Sequence, residues 1–226
     1  MLGLVAVAAA TGLVTFALLR EPPAPPREVS WQDRERALLT AHEFPDGYEY
    51  DYPPGRGVST ELEENAWAKE LPAACARLVE LVPRARAGND GVVAGASEPP
   101  GPYEDANWES TNYAQFIVSE ADADWDGAAL RALPHVCPTA TAGTGEEAFR
   151  VTVRSVPLPE PAGPDSVALH MILEGEDGLR LQQAIAVERV GGELVVLHAG
   201  TLADFDLDEF VRLTTAATAK AAAALG

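Results

Sequence analysis

The residues best spaced for chemistry lie at Asp122-Ala-Asp124-Trp-Asp126-Gly127. Carboxylates at alternate positions followed by glycine match the first half of a calcium loop, where positions 1, 3 and 5 ligate and the glycine turns the chain. Position 12 should bring a bidentate Glu, but Leu133 stands there. The run therefore reads as the acidic first turn of a helix reaching Leu133, where carboxylates suit the helix dipole. Asp122, Asp124 and Asp126 are the weak metal candidates that this run offers.

Histidines come next. His42, His135, His170 and His198 form no i, i+4 pair and no HExxH. Only His170 and His198 fall in strands of one predicted sheet, where with nearby Asp or Glu they would make a metal or acid–base site. Tyr48, Tyr50 and Tyr52 alternate along YEYDY, which puts three rings on one face of a short strand. That face either packs on the core or forms an aromatic wall for a ligand. Gly143-Thr-Gly145-Glu-Glu-Ala148 has the letters of a dinucleotide fingerprint but precedes a strand and carries glutamates where a pyrophosphate would sit. There is no G-x-S-x-G, and the two cysteines, Cys75 and Cys137, have no third thiol to act beside them. No catalytic residue and no cofactor is expected.

Charge narrows the partners. With 35 acidic residues against 16 basic, a net charge of −19 and a pI near 4.4, the chain lacks the basic stripe that nucleic acid requires. The same acidity disfavours docking on anionic lipid heads.

The elements that must position these residues centre on 147–202. EAFRVTVRSV, SVALHMILEG, LRLQQAIAVERV and ELVVLHAGTL read as four strands joined by Gly, Pro and Asp turns. Phe149, Val151 and Val153 alternate with Arg150, Thr152 and Arg154, so the expectation is an antiparallel meander with one buried and one wetter face. Upstream, Ser30 caps a helix, WQDRERALLTAHEF, that ends at the Pro45-Asp46-Gly47 turn. Residues 60–87 read as two helices, the second placing Cys75, Leu78, Val79 and Val82 on one face. VVAGAS and NYAQFIVS read as strands, and 204–225 as a closing helix. The expected working surface lies between the sheet and the helices stapled upstream, with the tyrosine segment at its edge.

At the N-terminus, Leu2–Leu19 holds no charge and spans ~27 Å as a helix, close to the thickness of a bilayer core. Arg20–Glu28 carries four prolines and reads as a semi-rigid spacer. The resulting plan is a transmembrane anchor or uncleaved signal at 2–19, a Pro-rich linker at 20–29 and an extracytoplasmic domain at 30–226. In an exported domain the cysteines pair, so a Cys75–Cys137 disulfide is expected.

ALLTAHEFPDGYEY, LPAACARL, the cysteine after a helix and VERVGGELVVLHAG together resemble the PknH-type extracellular sensor domain family of actinobacterial exported or membrane-tethered proteins. The resemblance covers about residues 31–225. It implies an α+β domain with an antiparallel sheet and helices around a cleft that binds an extracytoplasmic ligand. This chain departs from the family's kinase in having no kinase domain and one cysteine pair rather than two. No functional residue carries over.

The reading is therefore an α+β fold, an antiparallel meander sheet with covering helices, acting as a non-catalytic, monomeric binding or sensor-like domain tethered to the cell membrane. Its partner is a small molecule or an envelope component, contacted by Tyr48, Tyr50, Tyr52, His170 and His198. The alternatives are an envelope hydrolase or metal-dependent enzyme using the two strand histidines, and an accessory protein whose sheet docks another envelope protein.

Overall fold

The computed structural model describes residues 28–56, 71–73, 75, 91–99, 110–121, 123, 125–143, 148–160, 162–163, 165–175 and 178–226, with backbone alone for 51–56. The expected anchor at 2–19, the linker up to residue 27 and most of the two helices read at 60–87 lie outside the described residues.

Eight strands form one antiparallel sheet. They are β1 (Glu49–Arg56), β2 (Val92–Ser97), β3 (Asn112–Ser119), β4 (Thr139–Ala142), β5 (Phe149–Ser155), β6 (Val167–Gly175), β7 (Arg180–Val190) and β8 (Glu193–Thr201). Their order across the sheet is β1-β2-β3-β8-β7-β6-β5-β4. The expected meander is present as β5-β6-β7-β8. A second run, β1-β2-β3, joins it where β3 pairs in register with the last strand, Ile117 facing Val195 and Tyr113 facing Ala199. The α+β class holds: the described helices are α1 (Trp31–Ala37), α2 (Gly127–Val136) and α3 (Leu207–Leu225).

The expectation of one wetter face is corrected for the centre of the sheet, which is buried on both sides. One side carries Val167, Leu169, Met171, Ile185, Val187, Leu194 and Val196 and packs against Leu130 and Leu133 of α2. The other side carries Ala168, Ala184, Ala186, Val195, Leu197 and Ala199 and packs against Phe210, Leu213, Ala217 and Ala221 of α3. Alanines on the strands and on the helix let the backbones approach closely, and the small-against-large alternation of Ala184-Ile185-Ala186-Val187 marks two different dry faces. Strand β5 does alternate as expected: Val151 and Val153 are buried while Arg150 and Arg154 are exposed. It lies near the sheet's edge, whereas α3 packs on β7 and β8.

Helix α1 stops at Ala37, well short of the Pro45 turn expected from its sequence. Ser30 caps its start and forms a reciprocal capping box with Asp33. At its end Leu38 turns extended, and the freed backbone is met by a side chain of the sheet. The Leu39 N–H donates to Gln115 Oε1 at 2.6 Å, and Gln115 Nε2 donates to the Ala37 carbonyl at 3.3 Å. Arg34 pairs in bidentate fashion with Glu193, at 2.8 and 2.9 Å, and so fixes the helix to the start of β8. On the opposite side Cys75 and Cys137 form a disulfide, with Cα atoms 5.4 Å apart, that ties the upstream chain to the end of α2.

Candidate functional site

Among the described residues, the helix that covers the sheet face of Leu169 and Ile185 is α2. α2 packs on β5 and β6. Beyond it an apolar trough of about 440 Å³ opens across the other end of the strands. Its lining comes from five neighbouring strands and their turns: Ser110 and Asn112 at β3, His198, Gly200, Thr201 and Leu202 at β8, Leu179 and Leu181 at β7, Leu173 in β6 and Phe149 in β5. The pleat explains the convergence. Asn112, His198, Gly200, Leu181, Leu173 and Phe149 share the parity of the α2-side core residues Ala114, Val196, Ile185, Leu169 and Val151. Four inter-strand spacings make the trough roughly 19 Å long. Its volume falls in the range of small-molecule pockets, roughly 300–1,000 Å³.

Polar groups gather at the β3–β8 end. The Asn112 amide donates to the Ser110 carbonyl at 3.3 Å, and the Thr201 hydroxyl accepts from the Ala203 N–H at 2.9 Å. The middle is hydrocarbon, with Leu179 48% exposed at the rim. No Asp, Glu, Lys or Arg stands among the described lining residues.

The two strand histidines do not meet. His198 faces Ile185, which faces Leu169, all on the α2 side. His170 faces Ala184, which faces Ala199, on the α3 side. A joint site built on His170 and His198 is thus ruled out by register, because one is even and the other odd relative to the same partner strand. His170 is 6% exposed and stacks on Phe205 at 5.3 Å. Burial lowers its pKa below 6.5, a hydrogen bond with the Gln182 side chain opposes this, and Arg154 and Arg180 add to the lowering. Its Nε2 has no hydrogen-bond partner among the described residues.

Tyr48 and Tyr50 lie on the α3 side, away from both the trough and the disulfide. Tyr48 packs on Tyr113 at 5.6 Å, and Tyr50 packs on Phe44 at 5.8 Å while donating to the Leu39 carbonyl at 3.0 Å. The side chain of Tyr52 lies outside the described residues. Tyr48 also borders a polar cavity of about 630 Å³ shared with Glu98, Asp206, Glu209 and Arg212. Two of those acids are engaged: Asp206 caps α3, and Glu209 pairs with Arg212 at 2.6 Å. Tyr48 and Tyr50 pack in the α3-side core and Cys75 in the α2-side core, while most of the stapled helices expected to complete a surface with them lie outside the described residues.

Asp126 is the N-cap of α2, its Oδ1 accepting from the Ala129 N–H at 2.9 Å. Asp122 and Asp124 lie outside the described residues. Among the described residues no three His, Cys, Asp or Glu side chains come together as metal ligands. The trough residues other than His198 were not anticipated from sequence. The available signal was Gly200, a glycine inside an otherwise apolar central strand, which marks a bulge or a close approach to the backbone.

No protein-family model and no curated protein matches the sequence. Solved structures similar to it include the following two. One is the extracellular domain of PknH from Mycobacterium tuberculosis, 15% identical, covering 88% of this chain and 97% of that one with a TM-score of 0.43. The other is an uncharacterised protein of Mycobacterium smegmatis, the Rv0999 ortholog, also 15% identical, covering 85% of this chain and 100% of that one with a TM-score of 0.46.

Proposed function

We propose that this chain is a non-catalytic extracytoplasmic binding domain, sensor-like in character and tethered by residues 2–19 through the linker 20–29, whose ligand occupies the trough across β3, β8, β7, β6 and β5. The observation that carries this reading is the trough's lining: a hydrocarbon floor with a few convergent polar groups at one end, the usual make-up of a small-molecule site. His198 is the one titratable side chain among its described lining residues. The Cys75–Cys137 disulfide supports an oxidising compartment, and hence an outside location.

Native mass spectrometry of the full chain released from its own envelope tests the reading. The expected result is a bound small molecule that organic extraction removes, on a chain whose mass is two hydrogens below the fully reduced value. A chain that carries nothing and takes up no apolar molecule would end the proposal. Free thiols at Cys75 and Cys137 in such material would end the outside location.

A further inference from the structure

Gly200 stands where the trough crosses β8, facing Asn112 on β3 and Gln183 on β7. Glycine in a strand interior is destabilising relative to alanine and needs a reason. Backbone conformation does not supply one, because Gly200 is not among the glycines with positive φ. Sterics do not supply one either. A Cβ at this position would meet the Gln182 carbonyl oxygen at 3.8 Å, His198 Cε1 at 3.8 Å and Gln183 Cγ at 3.9 Å, all ordinary contacts. What a side chain here would do is rise from the floor of the trough and divide its polar end from its leucines.

We infer that Gly200 is the residue that keeps the trough continuous for one class of ligand: an amphipath with an aliphatic chain and an uncharged hydrogen-bonding head. This rests on the trough being the binding site. The chain lies across the strands over Leu181, Leu173 and Phe149, and passes the bare Cα of Gly200. The head, a hydroxyl, ester or amide, sits by Asn112 and His198. Length and lining select the chain, since a trough roughly 19 Å long that is apolar over β7, β6 and β5 suits an extended tail better than a compact ring. The described polar side chains at that end include Ser110, Asn112 and Thr201, uncharged hydrogen-bonding groups that match an uncharged head.

Photo-crosslinking in cells expressing the full chain tests this, using diazirine-bearing analogues of dodecanol, dodecanoate and dodecyltrimethylammonium with adducts mapped by peptide mass. The expected result is saturable labelling of the 173–202 region by the neutral probe, with both charged probes weaker by about tenfold or more. Gly200→Leu should lower neutral-probe labelling by about tenfold or more, since its side chain fills the space the tail needs. Gly200→Ala, adding one methyl, should label at an intermediate level. Thermal melts of both variants at or above the wild-type midpoint show that the fold is kept. Equal labelling by charged and neutral probes overturns the ligand class and leaves the site standing. Undiminished labelling of folded Gly200→Leu overturns the role of Gly200. No saturable labelling in this region by any probe overturns the site itself.

Discussion

The side-chain amide of Gln115 takes the place of the next helical turn for Leu39. Gln115 is fully buried in β3, and its Oε1 accepts from the Leu39 N–H at 2.6 Å while its Nε2 donates to the Ala37 carbonyl. One polar residue in the core thus satisfies two backbone groups that helix termination would leave orphaned. Replacing it by leucine strands both groups in an apolar setting. Gln115→Leu should lose about 2 kcal/mol or more, beyond any change in packing. Urea unfolding at neutral pH measures this directly, and an unchanged midpoint would show that the clamp contributes nothing.

The disulfide closes a separation of 62 residues. Its removal frees the unfolded chain, at a cost of about 4 kcal/mol in the chain-entropy model. Cys75→Ser/Cys137→Ser, or the wild type under reductant, should unfold at clearly lower urea concentration, while Gln115→Leu should show the same reductant sensitivity as wild type. A double variant with wild-type stability would argue that the staple is dispensable.

His170 makes stability depend on pH. Burial first of all holds its folded pKa below 6.5, with Arg154 and Arg180 acting in the same direction and the Gln182 bond opposing. The unfolded chain then binds the proton before the native one, so stability is whole above pH 6.5 and falls as pH drops through and below it. The melting temperature of the wild type should therefore decline between pH 7.5 and 5.5. His170→Phe keeps the ring against Phe205 and removes the titration, so its decline over the same range should be smaller. Equal declines would place the proton uptake elsewhere.

Much of the fold was written in local patterns. Strands β5 to β8 follow from apolar runs bounded by turn residues, and β2 and β3 from VVAGAS and NYAQFIVS. Helix α3 follows from its acidic start, with Asp206 as the cap. Cys75 and Cys137 form the expected disulfide. These features were legible because each depends on residues close in sequence. The second dry face was harder to see, since alanine reads as neutral in an alternation count. Ala168, Ala184, Ala186 and Ala199 become a surface only when strands align and α3 lies on them.

The binding surface was decided by register. Whether His170 and His198 meet depends on one residue of parity across β7, which side-chain types do not encode. The early end of α1 depends on Gln115, a residue 76 positions from the backbone it satisfies. The trough takes its lining from Phe149, Leu173, Leu181, Gly200 and Asn112, residues drawn together only by strand order. By itself the sequence determined a disulfide-paired α+β domain with a long antiparallel sheet. Tertiary structure decided which side chains share each face of that sheet, because hydrogen-bonded register and the placement of two helices set what each strand face meets.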